Sequence, residues 1–326
     1  MGPLEGNIAI QLERLKTMKY ISVKDTAEKW KITTRTVRRY CEAGLIDGAF
    51  CIDATWVLPA DARKPNSLDA NPPIPKGAAK QIIYQKNKNN HFGLYEFLQV
   101  NLAYSSSRMA SNRLTRNQVI ELFRTGKISV AFEPMKIDDV VEISNHFYAG
   151  DYVIDTMFDS LSVAYLRKIH ALLFYGTKAD RESKMHPGEF RKFPDALGIQ
   201  PENISGSVAA LLSQYEAKRE VTIDDVLDFH VALERIHPFE DGNGRLGRLI
   251  MMKECLRHQI VPFIIDDKQR SVYNRGIAVW DKTPDTLMDA VKRATKRMEI
   301  QMDTCRLLQY CRPETGRGSQ NGGKKK

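Results

Sequence analysis

Residues 237–248 read His237-Pro-Phe-Glu-Asp241-Gly242-Asn243-Gly244-Arg245-Leu-Gly-Arg248. Upstream, Val226, Phe229, Leu233 and Ile236 recur at helical spacing, so a helix is predicted to end near Ile236. Downstream, Leu246, Leu249, Ile250 and Met252 mark the apolar face of a second helix. Between them Gly242-Asn243-Gly244 permits positive φ and lets backbone N–H groups point into one concavity. The helix that starts there carries unpaired N–H groups and partial positive charge, so it suits an anion. Arg245 and Arg248 fall on one helical face, and guanidinium forks match phosphate oxygens. Asp241 beside that nest would repel a phosphate but suits Mg²⁺, which takes a carboxylate plus phosphate oxygens. His237 stands where it can meet an incoming hydroxyl as general base. An ordinary helix–loop–helix explains one or two of these residues but not the whole run.

Working outward, residues 80–311 read as almost entirely helical, with three-and-four apolar spacing over 115–125, 137–148, 158–173, 207–219, 222–236, 245–259 and 284–308. Residues 185–205 are the exception. Pro187-Gly188, Pro194 and Gly198 break any helical period there, which predicts a hairpin or flap. Five prolines between Pro59 and Gly77 predict a linker, assigned to 61–79. Residues 1–18 are a weakly patterned extension, and 312–326 a basic tail expected to be disordered.

Residues 19–60 form a smaller unit. Ser22 caps a helix with Asp25 three residues on, ending at Trp30; Thr34 is expected to cap a second helix from Arg35 to about Ala43. Leu45-Ile46 and 55–58 are expected as two short wing strands. Ser-Val-Lys-Asp-Thr-Ala-Glu-Lys-Trp and Gly-Leu-Ile-Asp-Gly in this unit resemble the excisionase-like or MerR-like winged helix-turn-helix class. Arg35, Arg38 and Arg39 are its candidate DNA contacts. Seven basic against five acidic residues over 19–60 is a weak charge for a dedicated DNA binder, so a protein-docking role stands beside it.

The run from His237 to Arg248 resembles the signature of the Fic family, His-x-Phe-x-Asp/Glu-Gly-Asn-Gly-Arg-x-x-Arg, with each fixed position present. The resemblance covers roughly residues 90–300. It implies a mainly α protein: an all-helical Fic domain with a β-hairpin flap, preceded here by the small winged helix-turn-helix domain. It also implies transfer of AMP from ATP to a Ser, Thr or Tyr hydroxyl of a target protein, the chain itself included. In that reaction His237 would deprotonate the hydroxyl and Asp241 would hold Mg²⁺. Gly242, Asn243 and Gly244 would form the anion hole, with Arg245 and Arg248 on the β- and γ-phosphates. Doc-type relatives that phosphorylate their targets commonly carry Lys in place of Gly244, so its presence favours nucleotidyl transfer. Pro187-Gly-Glu-Phe-Arg191 resembles the opening of the family's flap, along which the target would bind, with Leu197 and Gly198 over the nucleotide. Arg270-Ser-Val-Tyr273-Asn274 resembles the family's Arg-x-x-Tyr-Tyr segment and makes Tyr273 a candidate wall for adenine. Family members often self-associate, so a homo-oligomer is an expectation too.

Many Fic proteins carry Ser/Thr-x-x-x-Glu-Gly/Asn, whose glutamate pairs with the second motif arginine and blocks the γ-phosphate position. Ser105-Ser106-Ser-Arg-Met-Ala110-Ser-Asn-Arg-Leu-Thr115 resembles that region. Aligned on Asn112, Leu114 and Thr115, the glutamate position falls on Ala110, with Ser106 as the hydroxyl residue. Alanine cannot neutralise Arg248. The enzyme is then unrestrained, by nature or by an engineered Glu-to-Ala change, the latter favoured because Ala keeps helix propensity.

The 326 residues carry a net charge of +9, 42% hydrophobic and 27% charged residues, as in an ordinary globular protein. Residues 312–326 have five basic residues and one acid and so supply +4 of the +9. No apolar run reaches the ~18 residues of a membrane span, and the N-terminus does not read as a secretory signal. Five cysteines without a CxxC spacing predict reduced thiols and a cytoplasmic protein. Two other readings stand beside the AMP transferase. One is a DNA-binding regulator with a nucleotide-sensing Fic domain. The other is a Fic enzyme that uses another nucleotide or removes the modification.

Overall fold

In a computed structural model the residues described are 19–42, 46, 49–52, 55–65, 77–87, 93–129 and 135–304. The expected extension 1–18, most of the linker and the tail 312–326 lie outside them.

The N-terminal segment builds β1 (Tyr20–Ser22), α1 (Val23–Trp30), α2 (Thr34–Glu42), β2 (Phe50–Ile52) and β3 (Thr55–Pro59). The expected capping box at α1 is present: the Ser22 side chain accepts from Asp25 N, and Asp25 answers to Ser22 N at 3.2 Å. Lys31, in the left-handed region at φ 52°, turns the chain toward α2. Thr33, not Thr34, supplies the hydroxyl at the start of α2, accepting from Thr36 N at 3.1 Å. The strands run antiparallel in the order β1-β3-β2. The expected strand at Leu45-Ile46 is not formed: Ile46 sits in a bend, and Leu45 lies outside the described residues. Pairing with β3 falls on Phe50–Ile52 instead. Val23, Trp30, Val37, Trp56 and Leu58 form an apolar cluster of their own.

The remainder is helical: α3 (Ala78–Asn87), α4 (Leu94–Met109), α5 (Arg116–Thr125), α6 (Ile137–Asp155), α7 (Val163–Phe174), α8 (Lys178–Arg181), α9 (Pro201–Glu216), α10 (Ile223–Ile236), α11 (Asn243–Arg257), α12 (Arg270–Ala278) and α13 (Asp285–Thr304). Capping boxes at Thr115 and Thr222 start α5 and α10, and Ser162 rather than Phe158 starts α7. Proline at the first turn starts α9 six residues before the expected position. α11 is buried on all sides, which marks a central helix rather than a surface one. It packs against α4, α6, α7 and α10. Leu246, Leu249, Ile250 and Met252 belong to the main core with Leu166, Ile169, Phe229 and Phe239.

One expectation fails here. Residues 185–200 form no strand, and the flap is an irregular loop rather than a hairpin. Its backbone groups are satisfied by separate side chains and by the motif turn instead of a ladder: Arg191 N donates to Pro238 O at 2.9 Å, Ile199 N to Ile236 O at 3.4 Å, and Leu197 N and Gly198 N to Asp195 Oδ1. Buried Arg191 donates through Nε to His237 O at 2.7 Å, through Nη1 to Phe193 O at 2.7 Å, and through Nη2 to Ile199 O. Among the described residues no helix is long and apolar enough to cross a membrane. Cys41 and Cys255 are buried and form no disulfide; the side chains of Cys51, Cys305 and Cys311 are not among those described.

Candidate active site

The turn between α10 and α11 is built around two unusual backbone positions. His237 ends α10 in the left-handed region (φ 47°), which a non-glycine residue adopts only with support. Its N–H still closes the helix onto Leu233 O at 3.0 Å, while its carbonyl is held by Arg191. Gly242 precedes α11 at φ 78°, and a Cβ there would lie 2.3 Å from the Phe174 ring. Only glycine satisfies both constraints.

Asn243 staples the loop: its Nδ2 donates to Phe239 O at 2.8 Å and its Oδ1 accepts from Phe239 N at 3.0 Å. Its side chain is therefore spent inside the turn, and its contribution to an anion is its backbone. Phe239 stacks on His170 with centroids 3.9 Å apart. His170 accepts the Gly188 N–H on Nδ1 at 2.8 Å, so its proton sits on Nε2 and donates to Asp241 O at 3.0 Å. Burial pushes His170 down to about 4, which keeps it neutral. Through this ring the start of the flap and the motif turn share one support.

A cleft of about 250 Å³ opens over the start of α11. It brings together His237, Asp241, Gly242, Asn243, Gly244, Arg245, Arg248, Ala110 and Tyr273. Arg245 lies over Phe174 at 4.5 Å and pairs with Asp241 Oδ2 at 3.0 Å and Glu142 Oε2 at 3.5 Å. Arg248 is anchored from the far end of α4: Nε donates to Ser106 Oγ at 2.9 Å and Nη2 to Ser106 O at 3.3 Å. Ser106 thus acts by holding the arginine and does not line the cleft itself. Gly244 leaves room for that arginine, since a Cβ would lie 2.9 Å from Arg248 Nη1.

α4 ends at Met109, so Ala110 is the exposed cap of that helix at the cleft edge. Ser111 follows at φ 72°, where a glycine would be unstrained. Asn112 anchors this end through Asp139 O at 2.9 Å and Leu114 N at 3.1 Å.

Tyr273 lines the cleft near the start of α12, yet it is buried and its hydroxyl is paired with His230 Nε2. Its ring lies 6.0 Å from the Arg248 guanidinium. Leu197 and Gly198 do not line the cleft. Leu197 is 76% exposed, whereas Gly198 packs on the His237 Cβ and the Ile236 carbonyl. The Arg35, Arg38 and Arg39 side chains are exposed on α2.

Two groups of the site, Glu234 and Asp195, escaped the sequence reading. Glu234 lines the cleft one helical turn before His237, and its side chain is only 17% exposed. Burial raises its pKa against the opposing pull of Arg248 and His237. The three-and-four register from His237 placed it on this face, but without a motif position it drew no notice. Arg270 and Asn274, which belong to the quoted segment around Tyr273 but drew no role of their own there, also line the cleft. Asp195 meets His237 Nδ1; no local signal marks it.

Among the described residues no group of three metal-ligating side chains gathers. Asp241 is nevertheless suitable for Mg²⁺, which keeps several waters and needs one or two carboxylates beside substrate phosphates. Its side chain is 62% exposed and the residue borders the cleft.

Residues 160–255 match the model of the Fic/DOC family. The chain is 27% identical over 227 residues to a protein from Drosophila willistoni named protein adenylyltransferase Fic, covering 68% of this chain and 43% of that protein. The Drosophila melanogaster protein of the same name is 27% identical over 177 residues, covering 52% and 35%. The chain thus spans less than half the length of the curated relatives it matches. Among solved structures, a Fic domain containing signaling protein from Bacteroides thetaiotaomicron superposes with a TM-score of 0.55 at 17% identity, covering 72% of this chain and 96% of that one. Fic-1 from C. elegans gives 0.54 at 16% identity, covering 70% and 71%. The cleft over the start of α11 lies within the matched segment for all its motif residues, and residues 160–255 of this chain are a Fic/DOC domain.

Proposed function

We propose that this chain transfers AMP from ATP to a hydroxyl of a target protein. The observation that carries the reading is the convergence of His237, Asp241, Arg245 and Arg248 on one cleft at the start of α11. The names of the Drosophila relatives point the same way.

The backbone N–H groups of Gly242, Asn243 and Gly244 and the start of α11 would receive phosphate oxygens. Arg245 and Arg248 would neutralise the leaving pyrophosphate. Both guanidinium groups are preset, one by Phe174 and two carboxylates, the other by Ser106, so little reorganisation is needed when the nucleotide arrives. Asp241 would hold Mg²⁺, which when bound offsets charge on the phosphates. His237 would take the proton of the target hydroxyl as its oxygen bonds to the α-phosphorus and the bond to pyrophosphate breaks. The target would lie along the flap. Tyr273 would close the nucleotide end of the cleft with Ile277 and Asn274. The exposed arginines of α2 would supply DNA contacts. Loss of a gel shift at low salt in the full chain with Arg35, Arg38 and Arg39 all changed to Ala would support that role.

The test is incubation with Mg²⁺, a cell lysate and ATP labelled on either the α- or the γ-phosphate. Protein labelled from α alone is the expected result. Label from γ alone would show a kinase instead. His237→Ala should lower the α-label roughly 10²- to 10⁴-fold, the usual share of a general base.

A further inference from the structure

His237 is in contact with a second ionisable group, contributed by the flap. Its Nδ1 meets Asp195 Oδ2, and the two side chains are 16% and 26% exposed. Asp195 is fixed through its other oxygen, since Oδ1 accepts the N–H groups of Leu197 and of Gly198, the latter at 2.9 Å. Arg191 backs both partners. Its Nε donates to His237 O at 2.7 Å and lies 3.9 Å from Asp195 Oδ2. Gly198 permits the close approach, because a Cβ there would lie 2.8 Å from His237 Cβ and 2.9 Å from Ile236 O. Although partial burial works against the charge, the N–H groups of Leu197 and Gly198 and the imidazole hold Asp195 below the usual aspartate range. The carboxylate is therefore ionised.

An ionised carboxylate only accepts hydrogen bonds. Facing Nδ1, it demands a proton on that nitrogen and leaves the lone pair on Nε2. This is the tautomer a general base needs, and a base oriented by a third group is the recurring arrangement in nucleophile activation.

We propose that Asp195 is a positioning residue for the transfer. It holds His237 as the Nδ1–H tautomer with Nε2 open to the target hydroxyl, and so couples the base to the segment that would bind the target. The inference rests on the reading of His237 as the base in AMP transfer. The hydroxyl proton passes to Nε2, the oxygen bonds to the α-phosphorus and pyrophosphate leaves. Asp195 keeps the Nδ1 proton hydrogen-bonded without taking it and faces the positive ring that results.

Asp195→Asn tests this with little change of shape. The Asn oxygen stays with the two backbone N–H groups, so its NH₂ faces Nδ1. An NH₂ donates, which requires a bare Nδ1 and moves the ring proton to Nε2. In the full chain labelled with ¹⁵N-histidine, the His237 signals are those lost in His237→Ala. They should show a protonated Nδ1 and bare Nε2 in the parent chain, and the reverse in Asp195→Asn. With ATP, kcat for protein labelling should fall by roughly 10³- to 10⁴-fold while KM for ATP stays within about twofold. Should the Asn variant not fold, Asp195→Ala must show the same split between kcat and KM. An unchanged tautomer, or unchanged kcat, would overturn the proposal. Absence of any AMP transfer by the parent chain would defeat the functional reading instead, and the tautomer measurement separates the two.

Discussion

Placing a carboxylate at the end of α4 should restrain the proposed AMP transfer, and the structure allows the size of the effect to be worked. Ala110 is exposed and borders the cleft that Arg248 lines. Ser106 occupies Nε and Nη2 of Arg248. Nη1 lies by Gly244, where the γ-phosphate would be bound. In Ala110→Glu the new carboxylate would compete with that phosphate for Nη1. An ion pair at about 4 Å with an effective dielectric near 20 gives about 4 kcal/mol. Ordering a long side chain and partly desolvating its charge remove roughly half of that. The remaining ~2 kcal/mol corresponds to roughly a 30-fold rise in KM for ATP. The assay is α-label incorporation as ATP is titrated, with Ala110→Gln as the uncharged control. Ala110→Gln should leave KM within about threefold. Equal KM values for the Glu and Gln variants would show that position 110 does not reach Arg248, and would refute the alignment that assigns it to the inhibitory position.

Two further substitutions probe the frame of the site. Gly242→Ala adds a Cβ 2.3 Å from Phe174 at φ 78°. The left-handed backbone alone costs about 1–2 kcal/mol, so the melting temperature should drop by at least roughly 3 °C, and an unchanged melt would contradict the close packing. His170 is neutral because burial lowers it from 6.5 to about 4. Between those values the unfolded chain binds more protons, so its contribution is complete above about pH 6.5 and is lost progressively toward about pH 4, about 2 kcal/mol at pH 5. His170→Gln should therefore flatten the fall in urea stability between about pH 7 and 5 by that amount; the same slope in both chains would mean that the ring is not buried neutral.

Much of the helical frame was legible in local sequence because helix starts are short-range events. Ser22, Thr115 and Thr222 each find a partner three residues on. α10 and α11 were legible from their apolar spacing, and the turn between them from its glycines. α4 lies inside the range read as helical, but its bounds were not legible. It is buried nearly all round, so its apolar and polar residues follow no amphipathic period. The expected hairpin failed for a different reason. Breakers at 187, 188, 194 and 198 mark only where helix stops, and whether the limbs then pair depends on what satisfies their backbone groups. Here Arg191, Asp195 and the motif turn do so, not an opposite limb.

What the sequence by itself determined is the run His237–Arg248: the residues proposed as base, metal ligand, anion hole and arginine clamps lie within twelve consecutive positions, so proximity along the chain brings them to one end of α11. The tertiary structure decided how those groups are held. Ser106 reaches Arg248 across 142 residues, and Asp195 reaches His237 across 42. Tyr273 meets His230 across 43. Such contacts leave no periodic trace, because they are set by which helix faces pack against α11 and by where the flap returns. The motif therefore names the candidate groups, while the packing fixes how they are held and oriented.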